Sequence, residues 1–476
     1  MTVMETAFEI GKMILICLEV LLIFNLLIVV HELGHFLAAR WRGLKADKFA
    51  VWFGPALWKK TIGGVEYRLG CIPAGGYVSI PQMASMEAIE GKASGVENLS
   101  PASPWDKIIV AFAGPLFSFL LAVAFAVIVW GVGRPVSEAE TSTLVGYVEP
   151  DGPAAKAGIH TGDIILSVDG NPVTRFAGME EMTDTVIWNV VRSTNPSIPI
   201  TLERDGKRLS FDVTPMVPKT QGMGRQHLRQ IGIAPAQLPV IAKIFENSPA
   251  AQAGLRRRDT ITAINGQHIY SIRVFADFMK DDGEKPLNLT VQRSGRTFQI
   301  TITPRIPQGD QHPRLGILWD DRGVVGIAHP NPINQVIASA GTIWQTLSAI
   351  TSPHSEIKVQ HLSGFVGIMR LYYMSFVAPE GWKMALWFSV VLNVNLAILN
   401  LLPIPPLDGG HIILSLFEGI RRKPIKQKVL EGIQTAFALL VIGLMLYLAF
   451  YDIQDLPWKV RKTVVPEMKF APGSQP

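Results

Sequence analysis

Cysteine is almost absent, with two residues in 476. Cys17 falls inside an apolar run and Cys71 in a stretch rich in glycine and proline. That placement gives no support for a disulfide framework, and there is no cysteine cluster for a metal. Charge is scarce too. Asp, Glu, Lys and Arg make up 17% of the chain, against about 25% in ordinary soluble domains. Hydrophobic residues make up 48%. The net charge of +5 is modest, and the basic residues gather beside apolar runs. That pattern reads as membrane topology rather than nucleic-acid binding. The first apolar run reads as a span rather than a cleavable leader: it leads into Arg40, Arg42, Lys45 and Lys48, with no small-residue cleavage site.

What the chain does have is four long apolar runs. About 20 such residues suffice to cross a bilayer. The spacing predicts a first transmembrane helix within 1–40, a second over 106–131, a third with an Asp-Gly motif over 384–411 and a fourth over 429–451, followed by a tail, 452–476. Residues 41–105 carry strand-like stretches at 48–58, 65–72 and 77–80 punctuated by glycine, which predicts a small β region on the cytoplasmic side or in the membrane. Amphipathic or linker helices are expected over 330–380, where apolar residues recur at helical period. Basic residues stay cytoplasmic. Those after the first run, and Arg421, Arg422, Lys423, Lys426 and Lys428 after the third, place both ends on the cytoplasmic side and the N-terminus outside. Lys459, Arg461 and Lys462 in the tail run against that rule.

The first run ends in His31-Glu32-Leu33-Gly34-His35. Residues four apart share one face of a helix, so His31 and His35 can offer two imidazole nitrogens to one zinc ion. Glu32 stands beside the first ligand, where it can serve as a general base. Ionisable groups inside a span are expensive and mark function. The third run carries Asn393, Asn395 and Asn400 and breaks at Pro403, Pro405 and Pro406, with Asp408-Gly409-Gly410-His411 following. Asp408 lies at the depth of the histidine pair, and two histidines plus a carboxylate leave one position open for water. His411 is a competing ligand, ranked lower because a following helix would carry it away from the site.

Between the second and third runs the sequence repeats. Gly158 and Gly254, Asp163 and Asp259, and Gly170 and Gly266 each stand 96 residues apart. A fixed period means duplicated units. The pattern resembles PDZ domains of the bacterial protease type in tandem, at 143–217 and 230–305. The second copy departs at Arg258, where the first has Gly162. Such folds capture extended peptides, or the pair binds nothing and only obstructs access.

Taken in order, HELGH, the repeat and the motif NLLPIPPLDGG resemble the site-2 protease family of intramembrane zinc metalloproteases, in its bacterial sigma-E-regulating branch. The resemblance covers essentially the whole chain. It implies a polytopic α-helical membrane protein with a membrane-associated β-loop and two tandem extracytoplasmic PDZ domains, in a bacterial inner membrane. It implies one catalytic zinc held by His31, His35 and Asp408, with Glu32 as base. Asn400, Pro403 and the β-loop residues Gly75, Gly76 and Tyr77 would hold the substrate. The implied substrates are pre-trimmed single-span proteins, such as anti-sigma factors or signal-peptide remnants; membrane lipid is the other partner and nucleic acid is not one. Where the family often has Ser-Gly-Pro, this chain has Ser363-Gly364-Phe365. The alternative is a catalytically inert membrane scaffold recruiting partners through its PDZ units.

Overall fold

The computed structural model describes residues 3–86, 100, 102–178, 182–220, 222–281, 285–320, 323–353, 355–405, 407–422, 427–456 and 468–471. Pro406, Lys423, Lys426, Lys459, Arg461 and Lys462, named above, lie outside the described residues. The chain divides into two compact units. One comprises residues 1–134, 328–346 and 362–453; the other comprises 135–327, 347–361 and 454–476.

In the first unit, four helices among the described residues are long and apolar enough to cross a membrane: Ile10–Trp41, Pro104–Val132, Gly381–Asn400 and Gly432–Gln454. Local chemistry fixes their ends. Ser103 and Asp106 form a reciprocal capping box at the start of the second, with Pro104 in the first turn. The third stops at Asn400 because Pro403 and Pro405 cannot continue it. A new helix, Asp408–Arg421, begins after the turn. Gly409 and Gly410 let that helix sit on the turn's backbone: a Cβ on Gly409 would stand 2.3 Å from the Leu401 and Leu402 carbonyl oxygens.

Two apolar clusters hold this unit together. Ile16, Val20 and Leu27 of the first span pack with Phe125, Val129, Tyr372 and Val390. Phe36 and Ala39 pack with Val65, Val78, Ile80 and Val110. The second cluster seats the hairpin of β1 (Lys48–Ile62) and β2 (Val65–Ser79) against the first two spans. That hairpin is folded back on itself. Residues 48–51 pair with 76–79 on one side and with 66–69 on the other, while 58–62 pair with 65–69. Among the described residues no strand pairs with the outer edge of 76–79. Trp52 donates its indole N–H to the Asn25 side-chain oxygen, tying the hairpin to the first span.

The second unit contains the repeat. Strands Val145–Val148, Ile164–Val168 and Asn171–Pro172 recur at Ile241–Ile244, Thr260–Ile264 and Gln267–His268, with the 96-residue spacing read from sequence. Beyond them the spacing changes: Ile198–Arg204 and Lys207–Val213 recur as Leu287–Arg293 and Arg296–Ile302, 89 residues on. Each copy builds the same four-stranded antiparallel sheet from these last four strands. Each also borrows a closing strand from further along the chain. Val145–Val148 pairs with Ile233–Pro235, and Ile241–Ile244 with Ile317–Trp319. The closing strands fall outside the bounds expected for their own copies, 143–217 and 230–305. The reason is burial: Ile231 and Ile233 complete the first core, and Leu315 and Ile317 the second.

Candidate metal centre

The helical spacing and the break in the third span converge on one point. His31 Nε2 and His35 Nε2 are 3.2 Å apart. Asp408 Oδ2 lies 3.3 Å from His31 Nε2, and its Oδ1 lies 3.4 Å from His35 Nε2. All three residues are buried. Ligands at 2.0–2.1 Å around a tetrahedral ion stand about 3.3 Å from one another; the two imidazole nitrogens have that spacing, and each lies as close to a different oxygen of the Asp408 carboxylate. Two imidazole nitrogens and a carboxylate facing one another in a buried space also form a donor set suited to a cation. Among the described residues, this trio is the cluster of metal-ligating side chains close enough to share an ion. His411 is buried on the Asp408 helix but does not join it.

Close packing between the first two spans makes the convergence possible. Gly34, within HELGH, faces the second span so tightly that a Cβ would stand 2.4 Å from the Ala113 carbonyl oxygen. The imidazoles' remaining ring nitrogens have partners on that same span. His35 Nδ1 lies 2.8 Å from the Val110 carbonyl oxygen, and His31 Nδ1 lies 3.0 Å from Ser118 Oγ.

The other residues singled out in the sequence lie in this unit. Strand β2 passes Glu32 at van der Waals distance: a Cβ on Gly76 would stand 3.5 Å from Glu32 Cγ. Tyr77 stacks on Phe53 at 6.1 Å between ring centroids. Gly75 has φ +78° beneath the same Phe53 ring. Asn400 ends the third span, and Pro403 is exposed in the turn before Asp408. Phe365, at the departure from Ser-Gly-Pro, packs edge-on against Phe24 at 5.1 Å. Sequence reading passed over four contributors: Val110, Gly114, Ser118 and Asp452. Buried Asp452 accepts the Gly364 and Gly367 N–H groups at 2.9 Å each, capping the helix Phe365–Val377 from the end of the fourth span. A carboxylate at the end of an apolar run was the available signal for it.

Known proteins resemble this chain along most of its length. The model of Peptidase family M50 matches residues 19–444. A Neisseria meningitidis protein named "Putative zinc metalloprotease" is 30% identical over 453 residues, which is 90% of this chain and 97% of that protein. The "Regulator of sigma-E protease RseP" of Escherichia coli is 28% identical over 460 residues, covering 91% of this chain and 97% of its own. The Salmonella typhimurium protein of that name is 28% identical over 453 residues, with coverages of 91% and 97%. A solved PDZ domain of an SdrC-like protein from Listeria monocytogenes matches 18% of this chain and 92% of its own, at 21% identity and a TM-score of 0.17. The chain belongs to peptidase family M50, the site-2 metalloproteases.

Proposed function

We propose that this metalloprotease is a zinc-dependent intramembrane endopeptidase that hydrolyses peptide bonds within transmembrane segments of single-span proteins. One observation carries the reading: buried ligand atoms from the first span and from the helix that follows the third stand 3.2–3.4 Å apart. His31, His35 and Asp408 would hold one zinc ion. Zinc supplies Lewis acidity toward the scissile carbonyl and an activated water of pKa near ~7.

The chain's own groups do the rest. Glu32 takes the proton released in the attack and delivers it to the leaving amine. A transmembrane helix hides its peptide bonds, because every carbonyl is already paired within the coil. The substrate therefore has to unwind. The outer edge of 76–79 can accept the unwound segment as an added strand, next to Glu32. Asn400 can pair with the freed backbone groups, and Pro403 holds the turn that presents Asn400 and Asp408 together. Gly75 and Tyr77 shape the hairpin at that edge.

The two repeated units are read as tandem PDZ domains on the extracytoplasmic side, with the metal site toward the cytoplasm of a bacterial inner membrane. The relatives named as regulators of sigma-E protease support anti-sigma-factor-like substrates, trimmed beforehand by another protease. The inert-scaffold reading is not favoured in a peptidase family with these side chains in place.

Zinc analysis of the purified full chain with a cleavage assay on a single-span substrate tests the reading. Wild type should bind zinc and cleave. Asp408→Ala should lose both, and Glu32→Gln should keep zinc while losing cleavage. Zinc retained in Asp408→Ala, or cleavage by Glu32→Gln, would overturn the assignment.

A further inference from the structure

The second span meets the imidazole pair with three positions spaced four apart, Val110, Gly114 and Ser118, which share one helix face. Each makes a different contact. The Val110 carbonyl oxygen lies 2.8 Å from His35 Nδ1. Ser118 Oγ, fully buried, lies 3.0 Å from His31 Nδ1. Gly114 leaves open the space between them: a Cβ there would stand 2.2 Å from His35 Nε2 and 2.9 Å from His31 Nε2.

We propose that this face of the second span locks both histidines as Nδ1–H tautomers, and that Ser118 is the positioning residue for His31. A neutral imidazole carries one donor and one acceptor nitrogen. The Val110 carbonyl only accepts, so His35 Nδ1 is the donor there, and the lone pair of His35 is left on Nε2. A proton on His31 Nε2 would point into the space enclosed by the trio, where a cation belongs. His31 therefore carries its proton on Nδ1 and donates it to Ser118 Oγ. The outer partner of a ligating histidine sets its tautomer and ring orientation. The two histidines differ in one respect. No side-chain substitution removes the Val110 carbonyl, whereas the Ser118 hydroxyl is one atom that a mutation deletes. The orientation of His31 is therefore the one that the sequence sets through a side chain.

This inference rests on the metal reading above, and its test separates the two. The full chain, labelled with 15N-histidine and held in detergent micelles, is examined by imidazole 15N resonance with and without zinc. Zinc affinity is measured by chelator competition for wild type, Ser118→Ala and Ser118→Thr. Both ligand histidines should show Nδ1–H. Ser118→Ala should bind zinc about 10–100-fold more weakly, and Ser118→Thr, which keeps the hydroxyl, should restore affinity. Wild-type affinity in Ser118→Ala overturns the positioning role, as does a His31 proton on Nε2. The tautomer measurement needs no variant, so it decides even where Ser118→Ala fails to fold. A wild-type chain that takes up no zinc overturns the metal reading itself.

Discussion

At Gly114 one methyl group is enough to displace both imidazoles. Its Cβ would stand 2.2 Å from His35 Nε2 and 2.9 Å from His31 Nε2, inside any van der Waals contact. Gly114→Ala should therefore lower zinc affinity by about 10–100-fold, the usual effect of disturbing a ligand's support. Chelator competition reads the loss, and unchanged helicity in circular dichroism shows that the spans still form. Asn400→Ala should behave in the opposite way. Asn400 ends the third span but lies outside the ligand trio, so zinc should stay and turnover should fall by about 10²-fold, as expected when a substrate-positioning group is lost. Unchanged cleavage would count against its role. The site was unequally legible at this scale. His31, Glu32 and His35 announce themselves by helical spacing, and Asp408 follows from a broken helix at matching depth. Ser118 is a lone hydroxyl in an apolar run, with no pattern to single it out. The Val110 contact is backbone and has no sequence signature at all.

The repeated unit shows the same division at the level of elements. The 96-residue period identified the duplicated strands, because glycine turns and an aspartate recur in step. It could not reveal what those aspartates do, because their partners sit beyond the point where the period falls to 89. Arg204 donates to both carboxylate oxygens of Asp163, at 2.6 and 2.7 Å, and to the Gly158 carbonyl. Arg293 does the same to Asp259, at 2.6 Å to each oxygen, and to the Gly254 carbonyl. Both aspartates are buried. Hydrogen bonding to the carboxylate raises the pKa of each guanidinium above its already high value, so both arginines stay charged at any physiological pH. Removing one partner of a buried pair leaves an uncompensated charge and costs about 3–5 kcal/mol. Arg204→Ala should therefore lose amide protection across the first copy, including the closing strand Ile233–Pro235, and leave the second protected. Arg293→Ala should do the reverse. Hydrogen exchange on the full chain distinguishes these outcomes. Loss spread evenly over both copies would mean that they unfold as one body.

For the whole molecule, the open matter is whether the repeated units filter substrates by size. A deletion answers this only if the rest of the chain survives it, and the structure shows where to cut. The bounds drawn from sequence, 143–305, would strip Ile241–Ile244 while leaving its neighbour Ile317–Trp319 without that partner. A bare strand edge of that kind invites aggregation. The cut suggested by the fold is wider: it excises 139–322 and keeps Glu138 and Gly323 as the new ends. Strand Arg134–Ser137 lies beside Val324–Ala328, and the Glu138 N–H donates to the Gly323 carbonyl at 3.1 Å. The ends left by that excision already stand within hydrogen-bonding distance, so a short glycine-serine bridge closes them at little cost in loop entropy. The ligand residues His31, His35 and Asp408 and their second-span supports all lie outside the excised segment. The shortened chain should therefore bind zinc as the full chain does. If the repeated units act as a size filter, it should cleave a single-span substrate whether or not its outer domain has been trimmed, whereas the full chain cleaves only the trimmed form. If the shortened chain binds zinc, cuts trimmed substrate and still spares the untrimmed form, the filter lies elsewhere. If it binds zinc but cuts neither, the repeated units deliver substrate to the site instead of excluding it.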